Sequence, residues 1–321
     1  MDNNKENVRP NDGRVTMPIM LQIANPGACF LAAFMPALLT LILAGEAGAV
    51  MRKDLVFLLL LIPVLANMSI NFLNDYFDFK RGNDRRDEFL GSDDAPLAFH
   101  DIRHPEPVLY AGMICFVLAM LLGARVIQIS GMVPAIIGVT GAVILVAYSA
   151  GKIPISYLPL GELVSGFTLG GLVPLGVYSG MTGRADPVVL WKCIPMMLLV
   201  SHFMLVNNTC DIERDTAAGR KTMPILAGRE NARRVNVVLT CVWVIQLVVM
   251  TGISYPYGLP AILLMLLLFG KFFVAMCRSE RTPANRTKDV TAVAGAAFGV
   301  ALFLPLAVLL HRLIQFFLFR G

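Results

Sequence analysis

Nine runs of apolar residues divide the chain, at about 26–44, 55–78, 106–128, 131–150, 157–180, 188–210, 235–254, 257–277 and 291–317. Each is long enough to cross a bilayer as a helix, because about 20 residues rising 1.5 Å apiece span the hydrocarbon core. Prolines inside several runs, among them Pro36, Pro63, Pro134, Pro174, Pro195 and Pro260, predict kinked helices around a central cavity. The pattern predicts an all-α polytopic membrane protein of nine transmembrane helices. A polar N-terminal tail covers residues 1–17, and a single domain covers 18–321.

Two of the runs end in polar stripes. The second closes on Asn67-Met-Ser-Ile-Asn71-Phe-Leu-Asn74-Asp75-Tyr-Phe-Asp78, and at 3.6 residues per turn positions 67, 71, 74, 75 and 78 share one face. That face carries three amides and two carboxylates. Facing lipid, each unsatisfied group costs several kcal/mol, so the stripe belongs against a wet interior. The sixth run closes on Asn207-Asn208-Thr-Cys-Asp211-Ile-Glu-Arg-Asp215, where Asn208, Asp211 and Asp215 stand at i, i+3 and i+7. The four-helix offset between the two stripes suggests an internal duplication and predicts that they face each other.

Composition agrees with the patterning. Of 321 residues 56% are hydrophobic and 15% charged, with mean hydropathy +0.68, outside the range of soluble domains. The first 17 residues have no apolar core, so no cleaved leader is expected and insertion falls to the first span. Six scattered cysteines with no CxxC pair read as small buried apolar side chains. With the N-terminus inside, 20 of the 27 Lys and Arg fall in inside loops. This bias puts the loops at 79–105 and 211–234 in the cytoplasm, and the net charge of +5 reads as loop asymmetry, with no nucleic-acid partner expected.

Two facing clusters of amide and carboxylate oxygens, without His or Cys at ligand spacing, suit Mg2+. Mg2+ keeps waters and shares its shell with substrate phosphates, so the pair of clusters implies a bridging diphosphate. Lys80 and Arg81 beside the first cluster, and Arg220 and Lys221 beside the second, can neutralise a departing diphosphate. Of these the Gly-Arg-Lys-Thr context favours Lys221. Each would be equally ordinary as a solvated positive-inside residue.

These motifs resemble those of the UbiA superfamily of intramembrane prenyltransferases, which carries an Asn-Asp-x-x-Asp stretch and a later Asn-x-x-Asp-x-x-x-Asp stretch. The wording is closest to its 1,4-dihydroxy-2-naphthoate polyprenyltransferases. There the first motif ends Gly-x-Asp, as in Gly82-Asn83-Asp84, and the second continues to a Gly-[Lys/Arg]-x-Thr, as at 219–222. The stretch from Tyr148 through Lys152 and Tyr157 to Glu162 also looks like that subfamily. Two positions depart from the pattern. Asp93-Asp94-Ala95-Pro96-Leu97 stands where many relatives have an Arg-Pro-Leu segment, and Cys210 stands where an Arg often precedes the Asp.

The resemblance implies that Asn74, Asp78 and Asp84 on one side and Asn208, Asp211 and Asp215 on the other hold Mg2+, two ions bridged by a polyprenyl diphosphate. Asp78, Asp211, Asp215 and Lys221 would carry the catalysis. Asn71, Asp75, Lys80, Arg81, Tyr148, Lys152, Tyr157 and Arg220 would contact substrate, with Lys152 orienting the acceptor's anionic group. The implied reaction is ionisation of the allylic diphosphate and attack by the naphthoate ring, which loses its carboxylate as CO2 in menaquinone synthesis. A carbocation needs a dry pocket with aromatic faces, for which Tyr76, Phe77, Tyr148 and Tyr157 are candidates.

The expected location is a prokaryotic plasma membrane, with the site open to the cytoplasm. Other acceptors, namely 4-hydroxybenzoate, homogentisate, a tetrapyrrole or a glycerol phosphate, are the alternatives within the same chemistry. An ion-coupled transporter is disfavoured because the acidic clusters sit at helix ends and not at the bilayer centre. An inactive scaffold is disfavoured by all six ligand positions being present. His202 reads as a buried structural residue, and His100 and His104 as loop residues near the site.

Overall fold

The computed structural model describes residues 13–83 and 95–319. Within them nine helices are long and apolar enough to cross a membrane: Met17–Glu46, Lys53–Arg81, Glu106–Ser130, Met132–Ser149, Gly161–Thr182, Pro187–Cys210, Arg229–Ser254, Pro256–Arg278 and Pro283–Leu318. They are called the first to ninth spans below. No β-strand occurs among the described residues. The tail to residue 12, Asp84, Asp93 and Asp94 lie outside the described residues.

The spans agree with the apolar runs in number, and differ in three starts. The first begins at Met17, nine residues early, because it is broken. Helix Met17–Ala24 stops at Asn25, which adopts φ +46°, and the Asn25 side chain accepts from Ala28 N (3.1 Å) as Pro26 opens the next turn. The seventh begins at Arg229 and not at 235. Its early charges are paired, Arg229 with Glu213 at 2.6 Å and Arg233 with Glu230 at 3.1 Å, so polar residues extend the helix into the interface. The ninth likewise starts early, at Pro283, and takes Arg286 and Lys288 out of the loop.

Two spans contain a π-helical segment, Phe30–Phe34 in the first and Thr168–Leu172 in the fifth. In both, the α-helix that resumes carries proline at its second position, Pro36 and Pro174. Proline has no N–H and its ring crowds the carbonyl four residues back, and a widened turn relieves both. The two π segments pack against each other. The second and sixth spans each hold an internal proline, Pro63 and Pro195, and each ends at an acidic motif. The four-span offset of the motifs is thus repeated in the backbone.

Large apolar side chains such as Phe57, Leu121, Val143, Ile245 and Leu267 are exposed on the outer surface, where lipid and not water is the solvent. Inside, Trp243, Leu247, Met250, Ile262, Met265 and Val300 form the main core.

The fifth and sixth spans approach closely, and glycine is the reason. A Cβ on Gly166 would lie 2.6 Å from the Met197 carbonyl oxygen, and one on Gly170 would lie 2.5 Å from the Met196 carbonyl carbon. Small residues allow helix backbones to meet this way in membranes. The antiparallel packing that sets residue 170 against 197 and 166 against 201 leads to the end of the bundle where the polar residues gather, and there Asn208 reaches Glu162.

Candidate active site

Both acidic motifs reach the same end of the bundle. The second span terminates at Gly82 (φ +74°), a left-handed position that glycine adopts without strain, and Asn83 N then bonds back to Asp78 O (3.1 Å). The sixth span ends at Cys210, and Asp211 caps it before helix Ile212–Ala217, which presents Asp215 inward. A second left-handed glycine, Gly219, turns the chain so that Arg220 points into the cluster and Lys221 is exposed. Lys221 N donates to Tyr157 O (2.9 Å), which pins this register to the loop between the fourth and fifth spans.

Arg220 joins the two motifs. Its guanidinium donates to Asp78 Oδ2 at 2.6 Å and lies 3.3 Å from Asp215 Oδ1, and both carboxylates are buried. Burial opposes the Arg220 charge, but Asp78 and Asp215 hold its pKa above the usual arginine value, so it stays cationic. Burial likewise pushes the carboxyls of Asp211 and Asp215 up, Asp211 to about 7, while the nearby guanidiniums of Arg214 and Arg220 pull them back.

Around Asp78 the contacts are dense. Asn74 Nδ2 donates to Oδ2 (3.0 Å), Asn83 Nδ2 and the Tyr157 hydroxyl to Oδ1 (3.2 and 3.4 Å), and Arg81 stands 3.7 Å away. Asn83 is also hydrogen-bonded to the Tyr157 hydroxyl. Arg81 donates to the Ser149 and Gly151 carbonyls (2.8 and 3.0 Å), tying the second span to the end of the fourth. The Tyr157 ring carries two guanidiniums, Arg81 at 5.3 Å and Arg220 at 5.0 Å from its centre. Burial and the Asp78 charge raise its phenol pKa, so it remains a donor.

The other expected residues divide. Asp211 is held by Arg214 (2.6 Å) and by Arg286 (3.0 Å) from the start of the ninth span. Asn208 donates to Glu162 Oε1 (2.8 Å), and Tyr148 OH accepts from Ser165 (2.9 Å) one layer deeper. Asp75 is half-buried beside the cluster. Asn71 serves the break in the first span instead, donating to Ala24 O at 3.1 Å. Lys80 pairs with Glu106 (3.3 Å) on the exposed side, and Lys152 is exposed. Lys80, Lys152 and Lys221 thus stand outside the cluster, while arginines fill it. Cys210 is buried with Sγ 3.6 Å from Asp289, and His202 is buried against Trp243 with ring centres 6.2 Å apart.

Glu162 and Arg286 were not singled out as site residues by sequence. Each is a single residue contributed by another span, with no spacing signal of its own.

The donor set fits Mg2+ with a diphosphate. Among buried atoms without a hydrogen-bond partner are the acceptors Glu162 Oε2, Asp215 Oδ2 and Asn207 Oδ1 and the donor Arg220 Nε, an arrangement that answers to a cation and an anion together. No group of three or more His, Cys, Asp or Glu converges as a ready-made cage among the described residues. Mg2+ does not need one, because it is usually held by one or two carboxylates plus waters and substrate phosphates.

Known proteins carry the same architecture. The UbiA prenyltransferase family model matches residues 33–298. Over 243 residues the chain is 33% identical to a 1,4-dihydroxy-2-naphthoate octaprenyltransferase of Bacillus subtilis, covering 74% of this chain and 76% of that protein. UbiA prenyltransferase domain-containing protein 1 of Xenopus tropicalis is 30% identical over 203 residues, 62% of this chain and 57% of that one. A solved UbiA homologue from Archaeoglobus fulgidus, bound to GPP and Mg2+, superposes with TM-score 0.63 at 17% identity, covering 92% of this chain and 99% of that one. A digeranylgeranylglyceryl phosphate synthase gives TM-score 0.59 at 18% identity over 91% and 98%. Motifs, nine-span fold and matched length agree, and the chain belongs to the UbiA prenyltransferase family.

Proposed function

We propose that this prenyltransferase binds Mg2+ and an allylic polyprenyl diphosphate between its acidic motifs and transfers the prenyl group to 1,4-dihydroxy-2-naphthoate, releasing CO2, in menaquinone synthesis. The observation that carries the diphosphate assignment is Arg220, one permanently charged guanidinium shared by Asp78 of the first motif and Asp215 of the second. The acceptor assignment rests on the Bacillus subtilis relative together with the three motifs in order.

The allylic C–O bond breaks with its electron pair leaving on the diphosphate. The ring carbon bearing the carboxylate then forms the new C–C bond, and the bond to the carboxylate breaks to restore the aromatic ring as CO2 departs. Mg2+, when bound, neutralises the diphosphate and makes it a better leaving group. Arg220 and Arg81 add fixed positive charge where the leaving oxygens gain negative charge, and the Tyr157 ring holds both guanidiniums in position. Asn74 and Asn83 orient Asp78 through its two oxygens. Arg214 and Arg286 orient Asp211. The buried surroundings of Asp78, Asp211 and Asp215 exclude the water that would quench a carbocation. The loop basic charge supports a cytoplasmic opening in a prokaryotic plasma membrane.

The test is transfer from a labelled polyprenyl diphosphate to carboxyl-labelled 1,4-dihydroxy-2-naphthoate by purified protein, with Mg2+ and with EDTA. Metal-dependent product with equimolar labelled CO2 is expected. Preference for 4-hydroxybenzoate, homogentisate, a tetrapyrrole or a glycerol phosphate overturns the acceptor, and transfer to none of them overturns the reaction.

A further inference from the structure

Among the described residues Asp78, Asp211, Asp215 and Glu162 are the buried carboxylates of the cluster, and their counter-charges are uneven. Asp78 has Arg220 at 2.6 Å and Arg81 at 3.7 Å, Asp211 has Arg214 at 2.6 Å and Arg286 at 3.0 Å, and Asp215 has Arg220 at 3.3 Å. Glu162, only 5% exposed in the first turn of the fifth span, has no cation within ion-pair distance among the described residues. Its Oε1 accepts from the neutral Asn208 amide at 2.8 Å, and its Oε2 has no partner. A buried carboxylate left this way is strongly unfavourable unless a cation accompanies it.

The neighbouring atoms point to which cation. Asn208 gives its amide hydrogen to Glu162, and Asp215 Oδ2 is a buried acceptor without a donor. Oxygen atoms alone, with charge concentrated on carboxylates, are the ligands of a hard divalent ion. The close approach of the fifth and sixth spans at Gly166 and Gly170 holds Glu162 beside the second motif.

We propose that Glu162 is a further ligand of the divalent metal, supplied by the fifth span to the half of the site built on Asn208 and Asp215. This rests on the functional reading above. The metal would be held beside the second motif, where Glu162 has no guanidinium partner, and substrate phosphate would supply further ligands.

The experiment is titration of metal-stripped protein with Mn2+, counting free ion by its paramagnetic resonance signal, in wild type, Glu162→Gln and Glu162→Asp. Glutamine keeps an acceptor for Asn208 and removes the charge. Aspartate keeps the charge and shortens the reach to Asn208. A ligand role predicts Mn2+ affinity at least tenfold weaker in Glu162→Gln, with smaller loss in Glu162→Asp, and a metal-free melting temperature for Glu162→Gln at or above that of wild type. Wild-type affinity in Glu162→Gln, or loss in Glu162→Asp alone, makes Glu162 a support for Asn208 and overturns the proposal. If Glu162→Gln does not fold, the Glu162→Asp affinity decides: retention within tenfold supports the ligand role, and greater loss overturns it.

The two readings fail separately. Wild type that transfers prenyl groups with Mg2+ while Glu162→Gln binds Mn2+ normally loses only the Glu162 assignment. Wild type that binds Mn2+ through Glu162 yet transfers nothing loses only the functional reading.

Discussion

Arg220 shows how much one side chain decides at the scale of the residue. Because it touches Asp78 and Asp215 together, the two motifs form one electrostatic unit. Removing either aspartate also unbalances the other, and groups acting as a unit are far from additive. Asp78→Ala and Asp215→Ala are each expected to lower kcat/KM by about 10^2–10^3-fold, the scale for losing one fixed charge-stabilising group. The double variant is expected to lie within about tenfold of the worse single one, and steady-state kinetics on all four proteins measures this. Losses that multiply would mean the motifs work independently. The aspartates were legible in the sequence because helical spacing puts them on one face. The choice of Arg220 over Lys221 was not, because it depends on which way the chain leaves Gly219, a backbone turn that spacing does not encode.

Among the elements, the pair formed by the fifth and sixth spans sets the site. Gly166 lets the Met197 carbonyl approach so closely that any side chain must push it away, and one turn earlier in the same packed pair Glu162 reaches Asn208. Gly166→Leu is expected to destabilise the protein by about 1–3 kcal/mol, the usual cost of overpacking. It should also lower transfer at least tenfold, by separating Glu162 from Asn208. Thermal unfolding in detergent and a rate assay check the two effects, and a wild-type rate would show that this spacing does not set the site. The nine spans were legible because a bilayer demands length and apolarity, which a sequence displays directly. The break at Asn25 and the early start of the seventh span were not. The first turns on one left-handed asparagine, and the second on charges that become tolerable only when Arg229 and Arg233 find Glu213 and Glu230.

On the scale of the whole molecule, the two ends of the bundle have different characters. The end with the acidic motifs gathers Arg81, Arg214, Arg220, Arg229 and Arg286, each paired with an Asp or Glu. At the other end the charges are fewer, and two of the cations are paired, Arg52 with Asp54 at 2.7 Å and Lys192 with Glu46 at 3.0 Å. On the larger number of Lys and Arg at the motif end we propose that this end is cytoplasmic, by the usual bias of membrane insertion. That direction also suits the reaction, since diphosphate leaves into water where soluble acceptor arrives, while the prenyl chain stays in the bilayer. Two exposed loop positions report it, Val50 at the far end and Ile153 at the motif end. In a variant with its native cysteines replaced by serine, Val50→Cys is expected to react with a membrane-impermeant maleimide on intact cells. Ile153→Cys is expected to react only after the membrane is opened. The reverse pattern would put the acidic motifs outside, and a site there would have to draw both its diphosphate and its acceptor from the exterior.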